Sequence, residues 1–147
     1  MFRRLEQVDA AYTAFDISHS GLRAQRIRID VIANNIANIN TTRTPEGGPF
    51  RRQLVIFSAE PPEADAVTKP GKGVEVPEIV PDLSPFKTVY DPGHPDADEN
   101  GYVLLPNIEV AAEMVDLVSA TRSYEANVAS INATKRILTK AIEIIEP

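Results

Sequence analysis

The chain has 147 residues, with 15 Lys and Arg against 21 Asp and Glu, a net charge of −6, no Cys and two His. This excludes disulfides, thiolate metal sites and Cys nucleophiles, and leaves too little His for a His-built zinc or catalytic centre. The acidic balance argues against general nucleic-acid binding, which needs basic groups to displace counterions from phosphate.

The start, Met1-Phe2-Arg3-Arg4-Leu5, is basic but soon interrupted by Glu6, Asp9 and Asp16. A signal peptide needs an apolar run of roughly 7–15 residues and a membrane span roughly 20, and neither pattern is present. Composition alone suggests a chain that stays in the cytosol or leaves it by a route that reads no apolar signal. Pro and Gly mark the organisation. Eleven of the 12 prolines fall between Pro45 and Pro106, and six of the 7 glycines between Gly47 and Gly101. Both residues disfavour helix interiors, so the chain reads as helix, non-helical insert, helix. Segments 1–44, 45–106 and 107–147 carry +2, −6 and −2. The expected fold is α+β: two long terminal helices paired as an antiparallel, coiled-coil-like unit, with a small, irregular β-rich insert between them. Segments 1–44 and 107–147 then form one discontinuous helical domain.

In the first helix, Val8, Ala11, Phe15, Ser18, Leu22, Gln25, Ile29, Ile32, Ile36 and Ile39 repeat with alternating spacings of 3 and 4. That is the period of a helix burying a narrow stripe against another helix. Asn34, Asn35, Asn38 and Asn40 cluster where this stripe continues through Ile36 and Ile39. One reading is a helix end, since Asn is a poor helix former and tolerates left-handed backbone. The other is buried interhelical hydrogen bonding by neutral amides that fixes register. Asp16, Ser18, His19 and Ser20 offer triad residue types, but they neighbour one another on one predicted helix, whereas triad members must converge from a rigid frame. Arg23, Arg26 and Arg28 form a basic patch without interleaved aromatics. It is assigned to pairing with acidic surfaces such as Glu113, Asp116 and Glu125, or a neighbour's equivalent.

In the insert, strands are expected at Phe50–Phe57, Gly73–Val80, Phe86–Tyr90 and Gly101–Leu105, with Pro77 demoting the second to an edge or broken strand. Ala59 to Ala66 reads as a mobile, acidic, Pro-rich loop. Asp96-Ala97-Asp98-Glu99-Asn100-Gly101 matches the opening of a calcium-binding EF-hand loop, but the twelfth position is Asn107 where a bidentate Glu belongs, and Pro92 and Pro95 bar an entering helix. An acidic turn between two strands is the plainer assignment. The sequons Asn40-Thr41-Thr42 and Asn132-Ala133-Thr134 fall in predicted helix or helix end and are taken as coincidental.

The second helix repeats Val110, Met114, Leu117, Thr121, Tyr124, Val128, Ile131, Lys135, Leu138, Ile142 and Ile145 at the same alternating spacing, with Asn107 as the expected N-cap. Further apolar residues, Ile108, Ala111, Val115, Val118 and Ile137 among them, widen the stripe, as they would in a helix packed on more than one side. At 1.5 Å per residue, 8–40 and 107–145 would extend about 50 Å and about 58 Å, whereas a globule of this length is about 30 Å across. Packing within a two-helix hairpin explains one stripe. The excess length and width point to association elements that order when partners arrive.

Ala33-Asn34-Asn35-Ile36-Ala37-Asn38-Ile39-Asn40-Thr41 resembles the N-terminal signature of the bacterial flagellar axial proteins (rod, hook and hook-associated). Asn107 to Asn127, with Glu113-Met114-Val115 and Arg122-Ser123-Tyr124-Glu125-Ala126-Asn127, resembles their C-terminal signature. Thr41 to Gln53 and Tyr90 to Ala97 resemble the proximal-rod members of the basal-body rod family. The resemblance implies a non-enzymatic structural subunit of the periplasmic rod, without metal or cofactor. It also implies assembly with other rod subunits and basal-body proteins, and passage through the flagellar type III export apparatus with no cleaved signal. Neither nucleic acid nor membrane insertion is implied. The expected assembly surface is Phe15, Leu22, Ile29, Ile32, Asn34, Asn35, Ile36, Asn38, Ile39 and Asn40 on the first helix. On the second it is Val110, Met114, Leu117, Arg122, Tyr124, Asn127, Val128, Ile131, Leu138 and Ile142. The alternatives are a soluble coiled-coil adaptor that binds a partner without polymerising, and a small calcium-binding module.

Overall fold

A computed structural model describes residues 2–60 and 72–145, with the side chains of 13–59 and 72–143. The acidic loop expected at 59–66 lies, past Glu60, outside the described residues, as do the side chains of Val8, Ala11 and Ile145 in the two stripes. The element order is α1 (Phe2–Ala37), β1 (Gln53–Glu60), β2 (Gly73–Pro81), β3 (Lys87–Tyr90), β4 (Tyr102–Leu105) and α2 (Val110–Ile145). This is the expected α+β arrangement. Strands β1 and β2 form one two-stranded sheet, and β3 and β4 another. The second is antiparallel, pairing Lys87 with Leu105 and Tyr90 with Tyr102. The rings of Tyr90 and Tyr102 meet edge to face at 5.3 Å. Among the described residues each strand has one partner, so all four are edge strands and Pro77 is accommodated without a missing ladder bond on both sides.

Two boundaries differ from expectation. Strand β1 begins at Gln53, not Phe50, because the Phe50 amide donates to Thr41 O (2.9 Å) and the Arg52 amide to Asn107 Oδ1 (3.0 Å). Asn107 is therefore not the N-cap of α2. Its side-chain oxygen is occupied, its Nδ2 donates to Asp82 O at 3.1 Å, and the helix starts at Val110.

The chain forms two compact units. The first comprises Met1–Ile27, Phe57–Pro77 and Ala120–Pro147. Within it the helices run antiparallel: the hydroxyls of Ser18 and Ser130 lie 3.0 Å apart, and Gly21 faces Asn127. The buried residues here are small: Ser18, Ala24, Ala120 and Thr134. Small side chains allow close backbone approach. A Cβ added at Gly21 would lie 2.9 Å from Asn127 Nδ2. Gly21→Val should therefore weaken the helix pairing of this unit by overpacking, read as faster amide exchange over 13–27 and 120–134. Gly21→Ala should be nearly neutral, because gained helix propensity offsets the displaced amide. Strand β2 is tied to α1 in the same unit. The Val74 amide donates to Ser20 Oγ (3.0 Å), and that hydroxyl donates to Ile17 O (2.8 Å). Gly73 adopts φ 124°, and a Cβ there would collide with the Ser20 hydroxyl.

The second unit comprises Arg28–Ile56 and Glu78–Ser119. Its helix segments are again antiparallel, with Arg28 meeting Asp116 and Asn35 meeting Glu113. Val31, Ile32, Val103, Pro106 and Ile108 are buried among them.

In both units the buried seam departs from the expected stripe. On α1 it follows Ser18, Ala24, Val31, Ile32 and Asn35, so Leu22, Gln25, Ile29 and Ile36 stand half-buried beside it. On α2 it follows Glu113, Ala120 and Thr134, leaving Val110, Met114, Tyr124, Val128 and Ile142 exposed. The displacement is mostly one residue, about 100° of helix. Among the described residues, no helix is long and apolar enough to cross a membrane.

Candidate assembly surface and its polar clamp

The Asn cluster divides between its two readings. Asn38 and Asn40 belong to the end of α1. The Asn38 amide reaches both Asn34 O (3.1 Å) and Asn35 O (3.2 Å), its Nδ2 donates to Asn34 O (2.9 Å), and Thr41 Oγ1 donates to Asn38 Oδ1 (3.1 Å). These bonds tighten the last turn and satisfy carbonyls that an ending helix leaves open. Asn35 does the opposite job inside the second unit, where it is 1% exposed. Its Nδ2 donates to Gln53 O (2.9 Å) and to Glu113 Oε2 (3.1 Å), and its Oδ1 accepts from the Gln53 amide (2.9 Å). One amide side chain thus pairs with the start of β1 as a strand would, and links α1 to α2. Asn34 adds an exposed bond to Gln53 Oε1 at 3.2 Å.

Glu113 is fully buried, which a carboxylate tolerates only when paired and hydrogen-bonded. Arg52 supplies the pairing: its Nε donates to Glu113 Oε1 at 2.6 Å, and its other nitrogens lie 3.4 Å from Asp116 Oδ2 and 3.6 Å from Asp82 Oδ2. Asp116 is bridged from the other side by Arg28 at 2.9 Å. Burial works to lower the pKa of Arg52, but the bond to Glu113 and the charges of Glu113, Asp82 and Asp116 outweigh it and raise the value. Lys87 Nζ donates to Ile108 O (2.7 Å), holding β3 to the segment that enters α2. Arg51 stacks 4.1 Å over the Phe86 ring.

Asp82 is held below the ordinary carboxylate range, first by the Ser84 hydroxyl and amide and then by Arg52. A depressed carboxyl stabilises the fold above its unfolded pKa of about 3.9, and this contribution is lost as pH falls through the lower folded value. The melting temperature should therefore fall below a pH of about 4, and Asp82→Asn should flatten that acid limb without changing its direction. A wild-type and a variant profile that superimpose would mean that the folded chain does not hold Asp82 below its unfolded value.

The clamp and the small seams leave one face of α2 uncovered. In the second unit, Val110, Met114 and Val118 lie on one helical face at spacings of four, each about half exposed, with Val115 71% exposed beside them. Ala111 and Ala112 are exposed as well. Elsewhere on the helices, Phe15, Tyr124, Val128, Ile137 and Ile142 are exposed. Contiguous exposed apolar surface of this kind marks interaction sites. Of the expected surface residues, Asn34, Asn40 and Arg122 are exposed, and Leu22, Ile29, Ile36, Asn38, Ile39, Leu117, Asn127, Ile131 and Leu138 are half-buried. Ile32 and Asn35 are buried inside their own unit. Arg52, Gln53, Asn107 and Asp82 carry the clamp without having been expected there. The readable signals for it were Asn35 in the apolar stripe, the basic patch with Arg28 assigned to acids such as Glu113 and Asp116, and the lone acid Glu113 inside the apolar run Val110-Ala111-Ala112-Glu113-Met114-Val115.

The Asp96–Gly101 run lies in the β3–β4 connection. Asp98 Oδ1 accepts from the Asn100 amide (2.9 Å) and the Tyr102 amide (2.8 Å), and Asp96 Oδ2 accepts from Thr42 Oγ1 (2.8 Å). Asp98 serves as a turn acceptor, and Asp96 ties the connection to the segment that follows α1. Among the described residues, no group of three or more His, Asp or Glu side chains is gathered as a metal site. Ser18 and Ser20 are engaged with Ser130 and with the Ile17 carbonyl and Val74 amide, whereas His19 is exposed.

Comparison with known proteins gives this arrangement its class. The family described as "Flagella basal body rod protein" matches residues 15–43, and "Flagellar basal body rod FlgEFG protein C-terminal" matches residues 99–144. These matches place the chain in the class of flagellar basal-body rod proteins. Over nearly the whole chain it is similar to the "Flagellar basal-body rod protein FlgC" of three bacteria. It is 45% identical to that of Borreliella burgdorferi, over 92% of this chain and 97% of the relative. It is 44% identical to that of Bacillus subtilis (91% and 97%) and 39% to that of Salmonella typhimurium (92% and 98%). The chain belongs to the FlgC family.

Proposed function

We propose that the chain is a structural subunit of the proximal part of the flagellar basal-body rod, and that it polymerises through its terminal helices into the periplasmic shaft that carries torque from motor to hook. The observation that carries this reading is the exposed apolar face Val110–Met114–Val118, on a helix whose buried seam lies about 100° away from it, in a chain of the FlgC family. Segments 1–44 and 107–147 supply assembly contacts, and 45–106 spaces and stiffens them. The exposed and half-buried residues of the two stripes meet neighbouring subunits; Ile32 and Asn35 support that surface from within. A head-to-tail contact that does not close on itself generates a helical tube. Torque then passes through many buried contacts, with no catalytic step and no cofactor. The partners are other rod subunits and the neighbouring basal-body proteins. Delivery is through the flagellar export apparatus without a cleaved signal, a route that suits a chain without Cys.

Sedimentation of the purified chain with other rod subunits tests this reading. Concentration-dependent growth into large polymers is the expected result. A closed 1:1 complex at every concentration would establish the adaptor alternative instead.

A further inference from the structure

The two compact units are anchored very differently. The largest fully buried side chains among the described residues, Ile108, Glu113, Asn35 and Pro106, all belong to the second unit. There Asn35 uses both amide hydrogens and its oxygen, and Arg52 joins Glu113 while reaching Asp116 and Asp82. The buried residues described in the first unit are Ser18, Ala24, Ala120 and Thr134, none larger than Thr. Stabilisation scales with the apolar area removed from water, so this seam gains little per residue fixed. Ties across this seam include a hydroxyl pair, Ser18 with Ser130, and β2 is joined to α1 by the Val74–Ser20 bond.

Helix initiation is unfavourable by about a thousandfold, whereas adding a residue to an existing turn is close to break-even. The position of the nucleus therefore decides how a long helix forms. We propose that the clamp around Glu113 is the helix nucleus of the free chain. Residues 28–37 and 110–119 are helical, together with strands β3 and β4, before any partner is present. From this base α1 grows toward its N-terminus and α2 toward its C-terminus by propagation alone. The boundary between the pre-ordered part and the part that propagates falls inside each helix, near Ile27 and Ala120, and not at the edges of the Pro-rich insert. A partner that covers exposed residues of the first unit needs only to tip a near-neutral propagation and has no helix to initiate.

Amide hydrogen exchange on the dilute, full-length monomer tests this. Because no rod partner is present, a negative result leaves the assembly reading untouched. Amides of 28–37 and 110–119 should exchange at least about tenfold more slowly than those of 13–27 and 120–143, and at rates matching one another. Asn35→Ala should accelerate 28–37 and 110–119 together by at least about tenfold, although only the first carries the substitution. Gly21→Val, in the first unit, should accelerate 13–27 and 120–134 and leave the clamped segments within about twofold. Uniform protection along each helix in the wild type would overturn the proposal. So would equal loss in both units on Gly21→Val. If Asn35→Ala unfolds the chain outright, the wild-type profile and Gly21→Val still decide.

Discussion

Glu113→Ala should cost about 3–5 kcal/mol, the loss typical of breaking a buried ion pair from one side. That is a large share of the roughly 5–15 kcal/mol that holds a domain folded. The carboxylate is inaccessible to solvent and accepts from Arg52 Nε at 2.6 Å and from Asn35 Nδ2 at 3.1 Å. Removing it leaves a guanidinium short of its main counter-charge and an amide hydrogen with no acceptor, both in a space that water enters poorly. Urea unfolding followed by circular dichroism gives the number. Glu113→Gln keeps the shape and one acceptor and should lose less. Arg52→Met with Glu113→Leu should recover much of the loss, since a well-packed apolar pair often replaces a buried ion pair at little cost. A Glu113→Ala midpoint within about 1 kcal/mol of wild type would mean that the pair contributes as little as a surface salt bridge.

That Glu113 stands at the centre was only half legible. The insert could be read closely because Pro, Gly and alternating residues punctuate it, and each of its four strands lies where such signals place one. The helices were equally plain in extent, but not in orientation. A periodic apolar stripe says that a face is buried, not what buries it. On α2 the stripe through Val110, Met114, Tyr124 and Val128 is exposed in the single chain, whereas the face turned inward carries Glu113, Ala120 and Thr134. Small residues draw two helices close, and large ones are left outside the seam. A hydrophobicity pattern weights the large ones and so finds the outer face first. Asn107 failed as an N-cap for a different reason: its side chain had tertiary partners in Arg52, Asp82 and Ser84. Residue preference at a helix start could not reveal them. Asn35 shows the converse, a polar residue in an apolar seam whose burial follows once a backbone strand end, Gln53, is brought to meet it.

The distinction between inner and outer faces yields the sharpest test of assembly. Met114→Asp should leave the monomer's unfolding free energy within about 0.5 kcal/mol, because an exposed position away from caps and pairs tolerates substitution. Met114 is 49% exposed and its neighbour along the same face, Val118, equally so. In the proposed assembly the same change would place an unpaired carboxylate under a partner. Burying such a group costs several kcal/mol or forces it to take up a proton. At about 1.4 kcal/mol per factor of ten, a cost of about 3 kcal/mol weakens subunit association more than a hundredfold. Ile36→Asp and Leu117→Asp would not separate the two effects, since both residues are half-buried within the chain and would lower monomer stability as well. Co-sedimentation with rod subunits, alongside monomer unfolding, reads both quantities. Loss of polymer with an unchanged monomer is the expected outcome for Met114→Asp and for Val118→Asp. If both variants polymerise as the wild type does, the Val110–Met114–Val118 face is not a subunit contact, and the assembly surface must be sought on Phe15, Tyr124 and Val128 instead.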